Sequence, residues 1–267
     1  MIKLNQIQPK EIRKAISKGE FTSQTSGLCP GKAQANIVIL PELLAKDFMI
    51  FAHNNPKACP VLEVLDPGQR TLKKTASGDD IAKVISKYRV YYEGVLAEEP
   101  IDIEHLWKDD FVTFVIGCSF TFESALIDEG IQLRHITQSK NVAMYITNIP
   151  TVPSEKFNGP LVVSMRPIKK KDVEKVIEIT AKFPHVHGTP VHIGHPEDIG
   201  IEDILHPDFG DSVEIMTDEV PVFWACGVTP QAAAMQIKPP VMITHSPGHM
   251  LIMDLDNNQL ETLLSEE

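Results

Sequence analysis

A chain of 267 residues suits one large domain or two small ones, and 43% hydrophobic with 23% charged residues is the balance of a soluble globular protein. The net charge of −11 argues against a nucleic-acid partner, which needs a basic face. No apolar run approaches the ~20 residues that span a bilayer, so no membrane partner is expected either.

The opening MIKLNQIQPK has neither an apolar stretch nor a cleavage site and reads as no leader. Cys29, Cys59, Cys118 and Cys226 form no C-x-x-C pair, which fits reduced thiols in a cytoplasmic protein and argues against structural zinc or a disulfide framework. QPKEIRKAISKGEF predicts a short amphipathic helix with Ile12, Ala15 and Ile16 on one side. A polar loop follows, and AQANIVIL is too short an apolar run to tell strand from helix. PELLAKDFMIFAHNNP predicts a helix with Pro41 at its start and Asn-Pro at its stop. VLEVL reads as a strand, and residues 66–80, rich in glycine and polar residues, as an exposed excursion. YRVYYEG alternates as a strand does, and FVTFVIGC is apolar on both faces, as in a strand covered on both sides. FESALIDEG predicts a helix closed by Gly130, LRHI a strand with Arg134 and His135 on opposite faces, and VAMYITN a buried strand.

Residues 160–215 change in character: a strand LVVSMRP, an amphipathic helix KKKDVEKVIEITAKF, and a histidine- and glycine-rich strand or loop. VPVFWACG, TPQAAAMQI, PPVMITHS and HMLIMDL then restore the buried-strand and helix pattern. The expected fold is α/β, a mixed sheet layered with helices and containing an internal pseudo-repeat. Residues 1–155 and 220–267 form its main domain and share one sheet, with 160–215 a smaller inserted α/β subdomain.

The repeat is legible in VIGCSFTFESAL and FWACGVTPQAAA: with Cys118 over Cys226, Thr121 falls on Thr229 and Glu123 on Gln231. MYITNIP and VMITHSP extend it, with Thr147 on Thr244 and Asn148 on His245. Thr121 and Thr229 sit where N-caps belong, so each strand would feed a helix N-terminus with its free N–H groups. Two such turns facing one cleft would suit a small dicarboxylate; two capped helices without a site is the other account of the same pattern. The copies differ at Glu123 against Gln231 and Asn148 against His245, so Glu123 and His245 are the candidate acid–base groups, one from each half. Ser119, Thr121, Gly227, Thr229 and Gln231 are candidate substrate contacts at the turns, and Arg134, Arg166 and His187 candidates beyond them. His185, His187, His192 and His195 lie close in sequence, but without H-E-x-x-H or a carboxylate triad no metal is expected. No cofactor is expected, since the chain lacks a P-loop, a G-x-G-x-x-G and a G-x-S-x-G elbow. The cysteines at the two turns read as packing residues rather than nucleophiles.

GLCPGKAQANIVILP, NPKACPVLEV, FVIGCSFTFESAL, GPLVVSMRP, FPHVHGTPVHIG, VPVFWACGVTPQ and ITHSPGHMLIMDL, in this order across residues 24–255, resemble the bacterial hydro-lyases related to the D-glutamate cyclase domain. The resemblance implies a cytoplasmic α/β lyase that eliminates water from a small carboxylate or amino acid; for the cyclase branch, D-glutamate would give 5-oxo-D-proline. A non-catalytic carboxylate-binding or regulatory protein is the alternative. Either way the expected partner is a small carboxylate, and the reading leaves room for a homo-oligomer.

Overall fold

The computed structural model describes residues 7–262, and the side chains of all these except 231, 234, 235, 261 and 262. In chain order the elements are α1 (Pro9–Ser17), β1 (Lys32–Pro41), α2 (Glu42–Asn54), β2 (Val61–Leu65), β3 (Tyr88–Tyr92), β4 (Val95–Glu98), β5 (Phe111–Gly117), α3 (Phe120–Asp128), α4 (Arg134–Thr137), β6 (Ala143–Pro150), β7 (Pro160–Lys169), α5 (Val173–Ala181), β8 (His192–Ile193), β9 (Glu219–Ala225), α6 (Thr229–Ile237), β10 (Met242–His245), β11 (Leu251–Asp256) and α7 (Gln259–Thr262).

The short run AQANIVIL is a strand, β1, and it is the spine of the larger sheet. Ala33 to Leu40 are all buried, as in a strand covered on both faces. One edge of β1 pairs with β5, Ala35 opposite Gly117 through Pro41 opposite Phe111. Its other edge is shared by β10 near one end and β11 near the other. The sheet runs β2-β5-β1-β10-β3-β4, with β11 beside β1. A second, four-stranded sheet runs β6-β7-β9-β8, and every pairing described in both sheets is antiparallel. The fold is α/β, as expected. The antiparallel pairing, however, removes the rule for parallel sheets that places ligands at the carboxyl ends of strands.

The pairing corrects the expectation that residues 1–155 and 220–267 share one sheet. β6 and β9 both flank β7 in the second sheet, and only β10 and β11 return to the first. The repeat explains this, because each copy closes its own sheet. In the first, Thr121 Oγ1 lies 3.4 Å from both the N–H and the carbonyl oxygen of Gln34 on β1. In the second, Thr229 Oγ1 lies 3.2 Å from the N–H and 3.4 Å from the carbonyl oxygen of Val162 on β7. Ala35 faces Gly117 as Val163 faces Ala225, so β1 corresponds to β7 and β5 to β9. The threonines therefore tie a helix to the neighbouring strand instead of capping it: α3 has Ser119 as N-cap, with Thr121 inside the first turn. The later part of the aligned repeat does not keep register. Thr244 faces Val38, whereas Thr147 donates to Leu161 O at 2.7 Å, well away from Arg166, the counterpart of Val38.

Two more expectations are corrected. Residues 66–80 are not an exposed excursion, since Leu72 and Ala76 are fully buried. The Glu63 carboxylate folds the segment back by accepting from the N–H groups of Lys73, Lys74 and Thr75 and from the Thr75 hydroxyl. LRHI is a helical turn, α4, not a strand. One core layer packs Phe48 and Phe51 of α2 with Phe114 and Phe157; another places Phe122 of α3 against Trp224 of β9, ring centroids 5.5 Å apart.

Candidate active site

The two turns that open α3 and α6 come together in the interior. Each needs glycine because something approaches too closely for a side chain. A Cβ on Gly117 would lie 2.5 Å from His185 O, and one on Gly227 would lie 2.0 Å from Asn36 Nδ2. Asn36, a polar residue inside the buried run of β1, donates from Nδ2 to Gly117 O at 2.7 Å, so it contacts one turn and bonds the other. Cys118 and Cys226 pack here as expected: burial raises both thiols, Cys226 to about 11, so neither is a thiolate near neutral pH.

Beside the turns lies a buried charge cluster. The Arg166 guanidinium, fully buried on β7, donates from Nε and Nη2 to Glu123 Oε1 at 3.0 and 2.5 Å. It also donates to Ser119 Oγ and Ser164 Oγ, each at 2.9 Å. Its Cζ lies 5.2 Å from the Phe122 ring centroid and 5.4 Å from that of Trp224, a cation between two aromatic walls. His135 Nε2 stands 3.1 Å from the same Glu123 oxygen, at ion-pair distance but without hydrogen-bond alignment. Burial opposes ionisation of Glu123, yet the charges of His135 and Arg166, with the Arg166 hydrogen bonds, outweigh it and hold the carboxyl at about 2. Glu123 is thus a fixed carboxylate at neutral pH and a poor general base there.

Only one oxygen of Glu123 is used by this cluster. Glu123 also lines a cavity of about 290 Å³ between α3 and the loop before β1, together with Lys32, Gln34, Ser124, Asp128 and Asn257. A larger cavity of about 620 Å³ is lined by His53, Lys57, Cys59, Pro60 and His185, the last two also packed against Gly117.

The expected site residues therefore separate. Ser119, Glu123 and Arg166 form one cluster. Thr121 and Thr229 are the helix ties, and Gly227 is the close approach to Asn36. His187, with φ of 82°, sits buried behind the first turn with Nδ1 2.6 Å from Lys57 O; burial, and to a lesser extent Arg166, holds it down at about 4. Arg134 lies apart, paired with Glu219. His245 also lies apart: its Nδ1 accepts the Ile37 N–H at 3.3 Å, and burial above all pushes it down to about 3. No cavity described for the protein is lined by both Glu123 and His245. The Gln231 side chain lies outside the described residues.

The sequence put Arg134 and His135 on opposite faces of a strand, with Arg134 as the candidate; in the helical turn, His135 stands beside Glu123 and Arg134 pairs with Glu219. Asn36 had a signal, a lone amide in an apolar strand. Asn257 had none.

The sequence model of the D-glutamate cyclase family matches residues 112–254. A protein of Clostridium beijerinckii named "Putative hydro-lyase" is 56% identical over 253 residues, 95% of this chain and 97% of its own length. Proteins of the same name from Verminephrobacter eiseniae and Staphylococcus carnosus are 56% and 50% identical, covering 94% and 97% of this chain and 92% and 99% of their own lengths. The crystal structure of a nitrogen repressor-like protein from Methanococcus jannaschii aligns over 90% of this chain and 96% of its own at 11% identity and a TM-score of 0.38, too low to bear on fold or function. The family match covers more than half of the chain, and the relatives match nearly end to end: the chain belongs to the D-glutamate cyclase family.

Proposed function

We propose that the chain is a hydro-lyase of a small carboxylate or amino acid, with D-glutamate to 5-oxo-D-proline plus water as the reaction. Its family and the hydro-lyase name of its relatives support the class. The observation that supports the reading is Glu123: a carboxylate ionised at neutral pH, held by Arg166 and His135 through one oxygen, in a side chain that lines a cavity of about 290 Å³. That volume lies at the small end of ligand cavities and fits a metabolite of amino-acid size.

In cyclisation the amine nitrogen attacks the γ-carboxyl carbon, the C–N bond forms and one C–O bond breaks. The two protons lost from the ammonium leave with that oxygen as water, so the reaction is balanced without a co-reactant. The Arg166 guanidinium is engaged by Glu123, Ser119 and Ser164, so its part is to hold Glu123 rather than to clamp substrate. Lys32 lines the same cavity and is paired with Asp256, so it would meet a substrate carboxylate only by exchanging that partner. His135 stands behind Glu123 as its positioning partner.

Incubation of the protein with D-glutamate, L-glutamate and both 5-oxoprolines, followed by NMR, tests the reading. Conversion of the D-isomer is expected. Saturable binding without conversion in either direction would replace it with the carboxylate-binding alternative.

A further inference from the structure

The cavity beside Glu123 has a second polar wall that the reaction above does not use. Asn257, just past β11, is only 6% exposed. Its backbone N–H donates to Gly31 O at 3.0 Å, and its side-chain Nδ2 donates to Ser124 Oγ. The Ser124 hydroxyl donates to Thr121 O at 3.3 Å, and its oxygen accepts from the Asn257 amide. Asn257 Oδ1 is then the other end, buried and without a partner among the described residues. A buried carbonyl left unpaired has lost its hydration without replacement, so a ligand that supplies a donor there restores a hydrogen bond.

Glu123 adds a second acceptor of the same kind. Both Arg166 and His135 address its Oε1, and among the described residues nothing bonds its Oε2. The cavity is therefore lined by Glu123 of α3 and by Asn257 of the segment after β11, each with one side-chain oxygen that no described donor meets. Among the lining residues the one cation is Lys32, already engaged with Asp254 O at 3.0 Å and Asp256 at 2.7 Å. Two acceptors, one of them charged, call for a compact cation rich in N–H donors. An alkali ion would want a fuller oxygen shell than two side chains give.

We propose that Asn257 Oδ1 and Glu123 Oε2 form a seat for a protonated primary amine, and that Asn257 is a specificity residue selecting an amino acid over a hydroxy acid of the same size. This rests on the reading of the Glu123 cavity as the substrate site. The amine lies at the Asn257 end.

The test uses the intact protein and a probe that is not the substrate. Propylammonium chloride is titrated against the Ser124 backbone amide signal in ¹H–¹⁵N spectra, with propanol and potassium chloride as controls. A saturable shift with propylammonium alone is expected. Asn257→Leu should weaken it roughly tenfold, the size of one hydrogen bond to a charged group, and Asn257→Asp should strengthen it. The acidic variant keeps the test decisive if the leucine variant does not fold. No saturable shift, an equal shift with propanol or potassium chloride, or an affinity indifferent to both variants would overturn the seat. Turnover of D-glutamate without a propylammonium shift would retain the cyclase reading and remove the amine seat. The shift without turnover of any glutamate isomer would do the reverse.

Discussion

The two copies of the strand–turn–helix unit make a natural experiment within one chain. Both keep the threonine tie: Thr121 to Gln34 in one, Thr229 to Val162 in the other, at nearly the same distances. Both place a glycine at the turn with no room for a side chain. They part where charge enters. Val38 of β1 corresponds to Arg166 of β7, and Asn36 to Ser164. Arg166 then reaches from the second sheet to Glu123 at the start of α3. The duplicated framework supplies position, and the chemistry comes from the residues that stopped matching.

The largest expected effect comes from breaking that cross-copy pair. Arg166→Ala leaves Glu123 buried without its main partner and should lower unfolding stability by about 3–5 kcal/mol in a urea titration. Replacing both partners by apolar residues should recover much of the loss, because a missing pair is cheaper than a lone buried charge. A loss below 1 kcal/mol for the single variant would mean that the pair is not closed in solution.

Next come the two glycines. Gly117→Ala drives a methyl against the backbone oxygen of His185, while Gly227→Ala drives one against the end of the Asn36 side chain. Each should cost about 1–3 kcal/mol, the usual range for overpacking, and only the second should be relieved by Asn36→Ser. Relief of both, or of neither, would break the assignment of Asn36 as the spacer between the turns. The threonines should give the smallest change and the most similar: Thr121→Val and Thr229→Val each lose about 1 kcal/mol, one buried hydrogen-bonding group. A difference larger than the loss itself would end the equivalence of the copies.

Acid separates the same groups by pH. The Glu123 carboxyl is held at about 2 against its ordinary 4.5, so its contribution is complete above pH 4.5 and lost as pH falls from there toward 2. His245 is held at about 3 against 6.5, because the folded interior favours the neutral ring. Below pH 6.5 the unfolded chain takes up that proton first, so stability falls from 6.5 downward. His245→Gln should reduce the slope of urea midpoints between pH 6.5 and 4.5, whereas removing both Arg166 and Glu123 should change it only below 4.5. An unchanged slope in both ranges would contradict these environments.

The sequence carried the repeat, most helices and the buried strands, since these rest on local periodicity. It did not carry sheet membership, which depends on partners far apart in the chain: β9 reads like β5 yet pairs with β7. Residues 66–80 misled because their polar residues hide the buried Leu72 and Ala76, and only Glu63 shows why the segment folds inward. At the site, Glu123 and Arg166 were each legible as candidates, but their mutual contact was not, being 43 residues apart and between helix α3 and a strand of the second sheet. LRHI could not be resolved into an inward His135 and an outward Arg134 without knowing that it turns as a helix.

The central claim is that the unmatched carboxylate of the first copy serves the substrate. Its most direct test is D-glutamate turnover by Glu123→Gln, measured by NMR and normalised to the folded fraction from circular dichroism. Loss of one charged contact to the substrate should lower kcat/KM by about tenfold to a hundredfold per folded molecule. Turnover at the level of the unsubstituted protein per folded molecule would contradict it and leave Glu123 as a structural partner of Arg166 alone.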